Sequence, residues 1–181
     1  MEQLRMQWKH DGMPAQPLSF PENFSVVTLP DLENAVDIWL DMMQYGLSEK
    51  REDLSYYQTT MLDIPGYEEE KCYFILEDGK PVATITLICD SETQNGVVHM
   101  VGSNPACRGK GIGNMLGDIA VYVLKTAGMQ TASLKTDDFR IPAIKAYLRA
   151  GFQPELSTED FVQRWDAIYQ KLGLQNNRLT P

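Results

Sequence analysis

The sequence predicts an α/β (α+β) domain, a mixed central sheet flanked by helices, and three observations carry that prediction. Runs rich in β-branched residues alternate along the chain with apolar stripes at helical spacing. Asp78-Gly79 separates two such runs as a hairpin turn, which requires antiparallel pairing. The segment from Val97 to Thr136 reads strand-helix-strand and is long enough for a parallel crossover. At 181 residues, 43% hydrophobic and 23% charged, the chain suffices for one domain with a real core.

Residues 1–22 carry Pro14, Pro17 and Pro21 and are expected to form an extended N-terminal arm, leaving 23–181 as a single domain. Asn23 to Leu29 is a strand by its β-branched content. Asp31 is expected to cap a helix reaching Tyr45, with Leu32, Ala35, Val36, Trp39, Leu40 and Met43 as its apolar stripe and Gly46 as its stop. A second helix follows over Leu54 to Leu62, closed by Pro65-Gly66. The hairpin strands are Lys71 to Leu76 and Pro81 to Cys89, and Gln94-Asn95-Gly96 turns the chain into Val97 to Val101. Ile112, Met115, Leu116, Ile119, Ala120 and Val123 mark a strongly amphipathic helix that ends at Gly128. Ala132 to Thr136 is a short strand, Ala143 to Ala150 a helix stopped by Gly151, Phe152 the start of a last strand, and Asp160 to Leu172 a terminal helix. That terminal segment, with Arg164-Trp165, either covers the sheet or mediates a dimer, so the chain is read as a monomer or homodimer.

Composition excludes several classes. A formal charge of −9 argues against a nucleic-acid partner, which needs a surplus of Lys and Arg. No apolar run approaches the ~18 residues of a membrane span, and the first residues lead into no signal core. Cys72, Cys89 and Cys107 form no CxxC pair, and His10 and His99 are the only histidines, so no metal site is expected and a reducing cytoplasm suits the chain. The charge is uneven. Residues 1–96 hold 18 Asp and Glu against 6 Lys and Arg, whereas residues 97–181 hold 7 against 10.

The most informative stretch joins the strand ending at Val101-Gly102 to the helix starting near Ile112. Its run Arg108-Gly109-Lys110-Gly111-Ile112-Gly113 removes Cβ atoms where a backbone approaches a ligand, and it opens onto the positive end of a helix. That is an anion site, with Arg108 and Lys110 adding charge. A Walker A loop does not fit, because Gly111 follows Lys110 where Ser or Thr is required. A dinucleotide fingerprint does not fit either, since Gly109, Gly111 and Gly113 have the wrong interval. The run matches the [RQ]-x-x-G-x-[GA] signature, and a second stretch, Arg140 to Phe152, matches N-x-x-A-[ILV]-x-x-Y-x-x-x-G-F except at its first residue, where Arg140 replaces Asn. On these two motifs the chain resembles the GNAT acyltransferases over about residues 23 to 157. Thr136-Asp137-Asp138-Phe139-Arg140 looks more loosely like the mycothiol-synthase-like branch.

The resemblance implies a mostly antiparallel sheet with splayed central strands and acetyl-CoA as cosubstrate. It implies that backbone N–H groups from Arg108 to Gly113 cradle the coenzyme pyrophosphate and that Met100, Val101 and Gly102 pair with the pantetheine arm. Tyr147 matches the general acid that protonates the departing thiolate, its ordinary pKa near ~10 keeping the proton available; alternatively it only packs between helix and sheet. His99 lies nine residues before Arg108, the interval at which serotonin N-acetyltransferases carry a catalytic histidine. It is read as general base, on one strand face with Val97 and Val101, or as a core histidine satisfied by a carbonyl. A water relay from Glu92 or Asp90 is the other route for that proton. Arg140 either binds a coenzyme phosphate or pairs with Asp137 or Asp138, and Cys107 is read as an inert small side chain. Trp39, Met42, Met43, Tyr56, Tyr57 and Met61 lie on the helices that the resemblance sets along the acceptor cleft.

The expected function is transfer of an acetyl group from acetyl-CoA to a primary amine of a small molecule; the acidic half either favours a cationic acceptor or is only a solvated surface. The competing reading is a catalytically inactive acyl-CoA-binding sensor or interaction module of the same fold. O-acyl transfer is a third possibility.

Overall fold

The computed structural model describes residues 2–45 and 50–174. The strands are β1 (Leu4–Lys9), β2 (Phe24–Thr28), β3 (Cys72–Glu77), β4 (Lys80–Asp90), β5 (Asn95–Ser103), β6 (Thr131–Thr136) and β7 (Gln153–Pro154). The helices are α1 (Ala35–Met43), α2 (Leu54–Tyr57), α3 (Ile112–Thr126), α4 (Ile141–Arg149) and α5 (Glu159–Leu172), with a π-turn over Gln58–Leu62 continuing α2. All seven strands join one sheet in the order β2-β3-β4-β5-β6-β1-β7. Every neighbouring pair is antiparallel except β5–β6, which makes the sheet mixed and mostly antiparallel, as expected.

The N-terminal arm is the main correction. Residues 1–22 were expected to lie extended outside the domain, yet Leu4–Lys9 forms an interior strand between β6 and β7. Leu4, Met6 and Trp8 are buried and Arg5, Gln7 and Lys9 are exposed, the period-two pattern of a half-buried strand. The three prolines lie beyond this strand and say nothing about it. A second correction concerns Asp31. It ends a 3-10 turn over Leu29–Asp31, its carboxylate accepting from Thr28 N at 2.8 Å and Thr28 Oγ1 at 2.7 Å, while α1 begins at Ala35 after Asn34 with φ +55°. Gly46, the expected stop, lies outside the described residues.

Two cores lie on opposite faces of the sheet. On β3, Phe74 and Leu76 pack with α1 and α2, whereas Ile75 between them packs with α3, α4 and α5. Phe161, Trp165 and Ile168 of α5 belong to the same core as Leu4 and Met6, so the terminal helix covers the sheet. No helix among the described residues is long and apolar enough to cross a membrane.

Candidate active site

The site is built from β5 and the loop that follows it. β5 pairs with β6 only from Asn95 to Val97, opposite Thr131 to Ser133; beyond that the strands part and leave a notch. On its other side β5 carries a bulge. Thr86 faces His99 and Thr84 faces Gly102, so two steps on β4 match three on β5, and Met100 takes up the extra residue at φ +48°.

The bulge shifts the alternation of side chains by one. Val98 and Val101 pack into the α3 core, while Met100 packs against the α1–α2 core and a Cβ on Gly102 would meet Met42 O at 2.8 Å. His99 is on the α2 side, with Nε2 at 2.7 Å from Thr60 O. The expected shared face of His99 and Val101 is therefore corrected, because a strict period of two does not survive an inserted residue. His99 is bound to a carbonyl, as in the core reading, but it is half-buried and spends one nitrogen there; Nδ1 has no partner among the described residues.

The loop is shaped for an anion at its N–H groups. Gly109 and Gly111 both sit at φ +81°, where other L-residues are strained, and a Cβ on either would meet nothing within 4 Å. The N–H of Lys110 reaches Cys107 O at 3.4 Å, and those of Asn114 and Met115 reach Gly111 O at 2.9 and 3.2 Å. Among the described residues, the N–H groups of Gly109, Gly111, Ile112 and Gly113 have no acceptor. They converge at the head of α3, where the helix dipole adds positive potential. Gly113 also serves the packing of the helices: a Cβ there would lie 3.3 Å from Ala146 Cβ on α4, and one on Gly117 would lie 3.0 Å from Ala150 Cβ. Small residues on both helices let α3 and α4 approach closely, which brings the α4 motif beside the loop.

The charged loop residues divide. Lys110 Nζ is held by both Glu77 carboxylate oxygens at 2.6 and 2.9 Å, and this pair keeps the carboxyl below its usual range. Lys110 thus braces the loop against the end of β3. Cys107 is buried and its thiol donates to Glu77 at 3.5 Å; burial and that carboxylate push its pKa up, against thiolate formation. Arg108 is exposed and has no acidic partner among the described residues. Arg140 Nε donates to Asp137 Oδ2 at 2.8 Å, and Asp138 is taken by Arg164, so the ion-pair alternative for Arg140 is the one observed.

Tyr147 is half-buried on α4, edge-on to Phe152 with ring centroids 6.2 Å apart. Desolvation pushes its phenol up to about 12, with the nearby Arg140 opposing, so it holds its proton at neutral pH. Asp90 and Glu92 are set aside as relay groups. The Asp90 carboxylate accepts from the N–H groups of Glu92 and Thr93 in the β4–β5 turn, four residues along β4 from Thr86, or about 13 Å from the His99 level. Of the acceptor-side cluster, Trp39, Met42, Met43, Tyr57 and Met61 are core, and Tyr56 alone is half-buried. Among the described residues no cluster of His, Cys, Asp and Glu could hold a metal ion.

Sequence reasoning missed three contributors: the Met100 bulge, the Glu77 brace and the Thr60 carbonyl. The first two come from long-range pairing and leave no local pattern. The third has a faint one in Pro65, five residues beyond Thr60.

This combination, a mixed sheet parted beside a glycine loop that opens a helix, defines an acyltransferase fold. Residues 32–152 match the acetyltransferase (GNAT) family, and the chain belongs to that family. It is 29% identical over 142 residues, covering 76% of this chain and 45% of the relative, to a mycothiol acetyltransferase of Streptomyces griseus subsp. griseus. Among solved structures, a GCN5-related N-acetyltransferase from Sphaerobacter thermophilus superposes with a TM-score of 0.62 at 20% identity, over 86% of this chain and 50% of that one. The ribosomal-protein-S18-alanine N-acetyltransferase of Escherichia coli superposes with a TM-score of 0.57 at 14% identity, over 72% and 77%. The chain spans about half the length of the mycothiol acetyltransferase and of the Sphaerobacter protein.

Proposed function

We propose that the chain is an N-acetyltransferase that moves an acetyl group from acetyl-CoA to a primary amine of a small molecule by direct attack through a tetrahedral intermediate. The observation that carries this reading is the set of four N–H groups at Gly109, Gly111, Ile112 and Gly113 that have no acceptor among the described residues, at the head of α3 beside the β5–β6 notch, with open space around Gly109 and Gly111. These groups suit a pyrophosphate: the donors follow one another at a helix start, no Cβ at Gly109 or Gly111 blocks approach, and Arg108, exposed and without an acidic partner among the described residues, adds charge.

Acetyl-CoA supplies the activated thioester carbon; the remaining steps belong to side chains and backbone of this protein. The unpaired edge of β5 at Met100, Val101 and Gly102 orients the pantetheine arm, and a backbone N–H there stabilises the developing oxyanion, a contribution of about 3 kcal/mol for one such donor. His99 accepts the proton of the attacking ammonium. Tyr147, which desolvation keeps protonated at neutral pH, delivers a proton to the leaving thiolate. Lys110 and Arg140, each engaged by a carboxylate, hold the loop and the head of α4 in shape rather than bind phosphate directly.

The test is thiol release from acetyl-CoA across amines, polyamines, amino acids and aminoglycosides, read beside direct acetyl-CoA binding. Tyr147→Phe is expected to lower release while leaving binding intact. Binding without release on every acceptor would instead favour an inactive acyl-CoA-binding module and end the enzyme reading.

A further inference from the structure

Thr60 is the third residue of the π-turn over Gln58–Leu62, where Asp63 N reaches back five residues to Gln58 O at 2.9 Å. A carbonyl at that position would ordinarily take its bond from the N–H four or five residues on. The Ile64 N–H turns back to Met61 O at 3.1 Å, and residue 65 is proline and has no N–H. The Thr60 carbonyl is left facing β5, and the His99 ring meets it with Nε2 at 2.7 Å.

A carbonyl oxygen has no proton to give. Nε2 must therefore carry the hydrogen and donate, which in the neutral ring leaves the lone pair on Nδ1. Nδ1 has no partner among the described residues, and the ring is half-buried rather than sealed in the core. The Met100 bulge keeps His99 on this face while Val101 turns away toward α3. From this arrangement we infer that the main chain of the α2 π-turn is a positioning element for the reaction: the Thr60 carbonyl fixes His99 as its Nε2–H tautomer and makes Nδ1 the atom that takes the ammonium proton. The proton moves from the ammonium to Nδ1, and the nitrogen lone pair this frees forms the C–N bond as the acetyl C=O electron pair moves onto oxygen. Collapse of that oxyanion breaks the C–S bond, the thiolate takes its proton from Tyr147, and the ring is left as an imidazolium whose Nε2–H remains on Thr60 O. The inference rests on the acetyltransferase reading and names the basic atom and what sets it.

The chain has only two histidines, so the spectrum that tests this is simple. His10→Asn leaves a single imidazole, and its 15N shifts, taken at alkaline pH where imidazole is neutral, are expected to show Nε2 protonated and Nδ1 bare. His99→Gln retains an N–H able to reach Thr60 O but offers no base; it should bind acetyl-CoA normally and lose about 10²–10⁴-fold in kcat. Pro65→Ala, at an exposed position, restores an N–H that competes for the carbonyl; it should lower kcat, leave the KM for acetyl-CoA unchanged and mix the two tautomers. A wild-type chain that releases no thiol with any amine overturns the acetyltransferase reading. A working enzyme with Nδ1 protonated, or with His99→Gln at wild-type turnover, overturns this inference alone.

Discussion

The helices on the two faces of the sheet meet one another by different means. Under α3 and α4 the contact is close and rigid, with Gly113 and Gly117 set against Ala146 and Ala150 so that the helices nearly touch. Under α1 and α2 the contact is made by large, adaptable side chains, among them Trp39, Met42, Met43, Tyr57 and Met61. The first arrangement leaves the α3 backbone little room to shift, which suits the main-chain donors proposed for the coenzyme. The second tolerates repacking of its apolar side chains. α1 comes closest to β5 at Gly102, where Met42 O lies too close for any Cβ.

If that contrast holds, substitutions on the two faces should separate stability from coenzyme affinity. The largest effect is expected for Trp39→Ala on α1. It empties a fully buried site and should cost about 3–5 kcal/mol in urea unfolding, yet leave acetyl-CoA affinity unchanged at temperatures where the variant is folded. A parallel loss of affinity would mean that the two faces are mechanically coupled. Gly117→Val comes next: its Cβ meets Ala150 on α4, and overpacking should cost about 1–3 kcal/mol while also weakening acetyl-CoA binding, because α3 backs the loop. Gly111→Ala is smaller for stability, about 1–2 kcal/mol for a left-handed residue, but it acts directly on the N–H array. An isothermal titration showing undiminished affinity in that variant would remove the loop from the coenzyme site.

The smallest effect concerns acid stability, on the α3 side alone. Asp138, held by Arg164 of α5, has its pKa lowered by that hydrogen-bonded pair. A lowered folded-state pKa means that the pair stabilises the fold above the ordinary carboxylate value near ~3.9 and that this contribution fades as pH falls through the lowered value. Asp138→Asn should therefore destabilise at neutral pH and flatten the acid limb of the stability curve. An unchanged acid limb would show that α5 is held by Phe161, Trp165 and Ile168 alone.

Much of the proposed coenzyme side was legible in sequence because backbone geometry there demands particular residues. Gly109 and Gly111 are glycines on account of φ, and Gly113 and Ala146 are small on account of helix contact, so the motifs are records of steric limits. The proposed acceptor side was not legible for the complementary reason. Trp39 and the methionines satisfy a demand for apolar volume that many sequences meet, and nothing in their identity reveals which wall they build. The unequal charge of the two halves of the chain also reads differently in space. β1, from the acidic half, is inserted between β6 and β7 of the basic half, so the division at Gly96 is no boundary in the molecule. Its strand pattern was present in Leu4-Arg5-Met6-Gln7-Trp8-Lys9 and was obscured by the prolines that follow.

The sequence by itself determined the mixed, helix-flanked sheet, the hairpin, the crossover and the glycine loop at the head of a helix. Each follows from local periodicity or from a residue whose backbone freedom is unusual. The tertiary structure alone decided that Lys110 pairs with Glu77, the strand beside which the N-terminal segment lies, and the side of β5 on which His99 emerges. Those outcomes depend on register and on contacts between residues far apart in the chain, and a single inserted residue at Met100 is enough to reverse a face.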